Sequence, residues 1–137
     1  MKERIVKTLV LAVLAGVLWG AGCPDKKKDM FEKKQNLREA IEGYNECFFW
    51  RDFDRAAHYV VQEKRGEFLA ATEDLRRGYT LDDFRIMSIR LGPSGEMAMV
   101  DVKRKFIMSP SVTLQEKTFK QKWVMKQDAW YLSGPPY

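Results

Sequence analysis

One histidine and two cysteines stand among 137 residues, and that scarcity removes whole classes of chemistry. His58, Cys23 and Cys47 are too few for the four-ligand His/Cys sets of structural and catalytic zinc, so no metal or cofactor is expected. No glycine-rich phosphate loop and no Gly-x-Ser-x-Gly elbow occurs, which leaves P-loop and serine-hydrolase chemistry without their motifs. No apolar run reaches the ~20 residues of a spanning helix; the uncharged run from Thr8 to Gly22 holds 15. Strong charge of one sign is lacking too. The chain carries 24 Lys+Arg against 19 Asp+Glu, a formal net charge of +5. Part of that excess sits in Lys2, Arg4 and Lys7, and what remains is too modest to call for a nucleic-acid partner.

What is present begins with an export signal. Lys2, Arg4 and Lys7 form a basic start, Leu9 to Leu18 an uncharged apolar stretch, and Gly20, Ala21 and Gly22 the small residues that a signal peptidase requires. Gly20-Ala21-Gly22-Cys23 resembles the lipobox of bacterial lipoproteins, although the family usually carries leucine where this chain has Gly20. The resemblance implies a diacylglyceryl group on the Cys23 sulfur, cleavage before Cys23, and often an acyl chain such as palmitate on the new amino group. It implies a protein of the bacterial cell envelope, held on a membrane through Cys23. Two or three acyl chains make such attachment nearly permanent, because each buried CH₂ contributes about 0.8 kcal/mol. A lipidated Cys23 leaves no partner for Cys47, which lies on the apolar stripe of a helix and reads as a small core hydrophobe.

The expected division is a leader over 1–22, a lipidated cysteine and charged tether over 23–29, and one domain over 30–137. Leu37, Ala40, Ile41, Tyr44, Cys47 and Phe48 recur at helical spacing, so Met30 to Trp50 reads as a long amphipathic helix. Asp52 is placed to cap a short second helix, Phe53 to Val60. A third helix is expected from Glu63 to Arg77, with Phe68, Ala71, Thr72 and Leu75 buried and Gly78 as a left-handed cap. The period then becomes two. Phe84 and Ile86 alternate in one phase and Met87, Ile89 and Leu91 in the other, the mark of a β-bulge. Three further strands follow, separated by Gly92-Pro93-Ser94-Gly95, Ser109-Pro110-Ser111 and Lys126-Gln127-Asp128-Ala129. Pairing Met125 with Trp130, Trp123 with Leu132, Val102 with Phe119 and Ala98 with Trp123 keeps the apolar residues on one face. The same register sets Asp101 beside Lys120 and Lys105 beside Glu116.

Helices followed by a four-stranded meander make an α+β domain, with the helices packed on a bent antiparallel sheet. The stretches from Asp52 to Val60 and from Trp123 to Leu132 resemble the nuclear transport factor 2-like (cystatin-like) fold. That family includes ketosteroid isomerases, polyketide cyclases and many non-enzymatic modules, and fold alone does not choose between them. The residues expected to line the cone, and so a candidate pocket, are Tyr44, Phe84, Val100, Trp123, Met125 and Trp130. No catalytic set emerges: Tyr44 is the one inward hydroxyl in this group, and His58 has no visible carboxylate partner. The expected function is a non-catalytic envelope lipoprotein whose domain binds a protein or a small apolar ligand. Met97, Met99, Ile107, Val124 and Tyr131 are candidates for the contact surface. A small pocket enzyme of the isomerase or cyclase kind is the alternative.

Overall fold

The computed structural model describes Lys26 to Tyr137. The expected leader, the lipobox and Cys23 lie outside these residues. The first helix, α1, spans Lys26–Phe49, four residues earlier than the apolar spacing alone indicates. Lys26 to Asp29, expected as tether, form its first turn. Asp29 is favourable at the positive end of the helix dipole and pairs with Lys33 one turn on, at 3.2 Å. The helix ends in a Schellman arrangement. Arg51 takes φ +59°, its N–H donates to Phe48 O, and Asp52 N–H donates to Cys47 O. The Asp52 carboxylate then accepts from Arg55 N–H at 3.0 Å and caps α2 (Phe53–Ala56).

A 3₁₀ turn, Ala57–Tyr59, continues α2, and Val60 is already extended. Val60 bridges Leu132 in parallel, so the segment expected to finish a helix instead clasps the end of the sheet. The third helix is divided. A 3₁₀ turn over Gln62–Lys64 leads into α3 (Arg65–Thr72), and α4 (Leu75–Gly78) follows after a break. At the break the Thr72 hydroxyl donates back to Phe68 O at 2.9 Å, the local competition that makes threonine a poor interior helix residue. Ala71 is exposed, contrary to expectation, and Leu69 packs against the core. Gly78 is not a left-handed cap either, because among the described residues positive φ in glycines is confined to Gly95 and Gly134. Its role is close approach: a Cβ there would lie 2.9 Å from Ser109 Cβ.

The sheet is a four-stranded antiparallel meander in the order β1 (Tyr79–Leu91), β2 (Met97–Met108), β3 (Gln115–Lys126), β4 (Ala129–Leu132). Each expected pairing is observed: Ala98 with Trp123 and Val102 with Phe119 between β2 and β3, Trp123 with Leu132 and Met125 with Trp130 between β3 and β4. Register shifts between Leu81 and Asp83 and between Ile86 and Ser88 put two bulges in β1. The second is the phase change that the sequence showed. Together they return Leu81, Phe84, Ile86 and Ile89 to the inner rungs, opposite Phe106, Arg104, Val102 and Val100. The bulges also roughen an edge strand that would otherwise offer a long ladder to another chain.

α1 lies across the inner face. Leu37, Ile41, Tyr44 and Phe48 are fully buried, as are Val100, Val102, Trp123 and Leu132 beneath them. Tyr44 meets Trp123 edge-on at 5.8 Å and Phe48 at 5.0 Å. Trp130 Nε1 donates to Lys33 O at 3.1 Å, fixing the helix to β4. Burying each of these large side chains contributes roughly 1.5–3 kcal/mol. Among the described residues no helix is long and apolar enough to cross a membrane.

Candidate functional site

The inner phase of β2 runs Ala98, Val100, Val102, Arg104, Phe106. Four of these five belong in an apolar interior, and the fourth position in the row carries a guanidinium. Arg104 is 1 % exposed, and no Asp or Glu side chain pairs with it among the described residues. Three rings surround it instead, with Cζ 4.3 Å from the centroid of Phe48, 4.8 Å from Phe119 and 5.6 Å from Tyr44. Each such contact offsets part of the desolvation of a buried cation. Nε donates to Asn45 Oδ1 at 2.7 Å, and Nη1 donates to the main-chain oxygen of Tyr137 at 3.0 Å. Asn45 is itself buried, one turn beyond Ile41 on the core stripe of α1, and its amide donates to Ile41 O at 2.8 Å.

The residues after β4 close over this cation. Gln121, buried between Phe119 and Trp123 on β3, donates to Pro136 O at 3.5 Å and accepts from Trp123 Nε1 at 3.3 Å. The Tyr137 ring stands edge-on to Phe68 at 5.1 Å, and its hydroxyl donates to Glu67 at 3.2 Å. Burial and that hydrogen bond to Glu67 push the Tyr137 hydroxyl up to about 12. The Tyr44 and Tyr79 hydroxyls are buried beside the Arg104 guanidinium. Burial raises the pKa of both tyrosines, against the lowering pull of Arg104.

The candidate pocket residues are placed as follows. Tyr44, Val100, Trp123 and Trp130 are buried in the core, and Phe84 and Met125 are half-buried against it. Tyr44 lies beside Arg104, whereas Trp130 also lines a groove of roughly 440 Å³ with Asn36, Glu39, His58 and Asp128. His58 is exposed there. Among the described residues the buried polar side chains are Asn45, Thr72, Arg104 and Gln121; this interior holds a cation and amides where an isomerase-like base would need a carboxylate. No set of residues suited to a metal ion occurs among the described residues. Cys47 is buried and free, and burial pushes its thiol up, away from the reactive thiolate. Arg104 and Asn45 are the interior residues that the sequence reading passed over. Their signal was a charge on the inward phase of a strand and an amide on a helix stripe.

The outer face is of another kind. Met97, Val124 and Tyr131 form one rung across β2, β3 and β4. Met99 adjoins it, paired with Arg90 on one side and Lys122 on the other. Met97 and Met99 are 42 % and 40 % exposed, and Met87 on β1 is 54 % exposed. Lys103 and Lys105 share Glu116, at 2.6 and 4.0 Å. Asp101, opposite Lys120 in register, instead takes Ser88 and Arg90.

No family model matches the chain, and no curated protein does. Solved structures do resemble it. A SEC-C motif-containing protein from Rhodopseudomonas palustris aligns with a TM-score of 0.56 at 14% identity, over 65% of this chain and 68% of that one. An NTF-2-like protein of unknown function from Shewanella oneidensis MR-1 aligns with a TM-score of 0.61 at 17% identity, over 74% of this chain and 94% of that one. At these identities the likeness speaks for architecture alone, and the architecture is an α+β fold of the NTF-2-like kind.

Proposed function

We propose that this protein is a membrane-anchored envelope lipoprotein whose domain docks another envelope protein through the outer face of its sheet. The anchor rests on the export signal and on Gly20-Ala21-Gly22-Cys23. The docking surface rests on one observation, the apolar rung of Met97, Val124 and Tyr131 with Met99 beside it, bordered by Arg90 and Lys122. Exposed apolar area with Lys122 at its border, and Arg90 already paired with Asp101, suits a partner with an apolar centre and an acidic group facing Lys122. A core closed by Arg104 and large aromatic side chains supports binding at the surface over catalysis inside.

The experiment has two arms. Cells given a radiolabelled fatty acid should label the wild type and not Cys23→Ala; equal labelling, or none, removes the anchor. A photo-crosslinking residue at position 99 should then give a discrete adduct in isolated envelopes, lost on charge reversal by Lys122→Glu. No adduct, or an adduct indifferent to Lys122, removes the docking face.

A further inference from the structure

The two outer sides of the sheet differ. β1 is interrupted by two bulges, whereas β3 pairs with β2 without a break from Met97–Val124 to Phe106–Gln115. β4 covers the far side of β3 only from Trp123 to Lys126, and Ser133 N–H adds one bond, to Lys122 O at 2.9 Å. The chain then turns to the inner side, where Gln121 and Arg104 donate to the main-chain oxygens of Pro136 and Tyr137. Pro135 and Pro136 have no N–H with which to prolong a ladder. Two bonds fix the phase of β3: Met125 N–H donates to Glu96 O on the β2 side, and Lys122 O accepts on the β4 side. Main-chain groups alternate in direction along a strand, so those of Glu116, Thr118 and Lys120 face away from β2. Among the described residues no strand pairs with them there, and all three residues are exposed.

We propose that this edge of β3 receives an extended acidic segment of a partner protein as a further strand, antiparallel to β3 and in line with β4. Charge selects the occupant. Lys120 and Lys122 lie on the outer phase of β3, and the carboxylates near them are engaged elsewhere. Glu116 holds Lys103 and Lys105, and Asp101, opposite Lys120, holds Ser88 and Arg90. Lysines on an edge strand oppose pairing with a like edge, so a second copy of this chain would bring lysine toward lysine. A segment with Asp or Glu at every second position brings the opposite charge. Its alternate, apolar side chains then fall on the inner side, next to half-buried Phe119. Strand addition of this kind draws affinity from main-chain bonds and selectivity from alternate side chains. This inference does not rest on the outer face at Met97 and Met99, and either can fail alone.

The test is a titration of the full chain with an eight-residue peptide of alternating glutamate and valine, in two N-methylated forms. With glutamate opposite Lys120 in an antiparallel pair, the glutamate main chains face β3 and the valine main chains face away. The form methylated on its valines should therefore bind. The form methylated on its glutamates, equal in composition and charge, should bind about tenfold more weakly through loss of its N–H donors. The bound peptide should slow hydrogen exchange at the Thr118 and Lys120 amides and leave β1 unchanged. Lys120→Glu should weaken the valine-methylated form about fivefold. Equal or inverted affinities of the two forms, unchanged exchange at Thr118 and Lys120, or indifference to Lys120→Glu would each overturn the proposal. So would slowing of the same amides as the concentration of the chain alone is raised, because the occupant would then be a second copy.

Discussion

Replacing Asn45 by leucine removes the side-chain acceptor of the Nε hydrogen bond from a buried guanidinium. A hydrogen bond to a charged group is worth about 1.5–3 kcal/mol, and Arg104 is shut away from water that could replace it. Asn45→Leu alone should therefore cost about 3 kcal/mol. Arg104→Met leaves the opposite orphan, Asn45 Oδ1, at about 1–3 kcal/mol, and forfeits three ring contacts. It also removes the desolvation of a cation, so the net cost should be about 2 kcal/mol. Independent losses would sum to about 5 kcal/mol. The double variant leaves neither orphan and should cost only about 2 kcal/mol, a coupling of about 3 kcal/mol. Equilibrium urea unfolding reads this directly: with a slope of about 1.5 kcal/mol per molar, Asn45→Leu lowers the midpoint by about 2 M and the double variant recovers part of that. Additivity within about 0.5 kcal/mol would refute the idea that these two residues hold each other in the core.

Three further outcomes follow from other parts of the fold. The Tyr137 hydroxyl, pushed up to about 12, holds its proton more tightly folded than unfolded, where tyrosine titrates near 10. Its stabilising share is complete below pH ~10 and disappears as pH rises through about 12; Tyr137→Phe should remove one late-titrating phenol from the 295 nm absorbance curve, and an unchanged curve would contradict the contact with Glu67. Gly78→Ala should cost about 1–3 kcal/mol by thermal melting because the new Cβ meets Ser109, whereas Gly66→Ala, with nothing within 4 Å, should be neutral or stabilising; equal effects would argue against the close approach. Asp52→Ala should cost about 1 kcal/mol in the same assay through loss of the α2 cap, and a melting point within error of wild type would deny the cap.

Alternation and turn chemistry made the sheet legible in advance. Once Trp123 was set against Leu132, one face was apolar throughout, and a slip of one residue would have exposed all of it. The helical half was legible as elements and less so in its ends. Thr72 breaks a helix through its own hydroxyl, and Val60 is drawn from helix to bridge by a partner 72 positions away, at Leu132. Spacing within a short window cannot carry such information. The interior site was hidden for a different reason: Arg104 makes sense at an inward position only when Phe48 and Asn45 of α1 and Phe119 of β3 are assembled around it.

The Val60–Leu132 bridge has a consequence for how the domain comes apart. β4 has four residues and would hold poorly by its pairing with β3 alone. Val61 N–H donates to Leu132 O at 2.9 Å, so the last strand is gripped on both sides, once by the sheet and once by the helical segment. Neither half can then open without releasing the other, and protection of the Val61 amide against hydrogen exchange becomes a gauge of whole-domain unfolding.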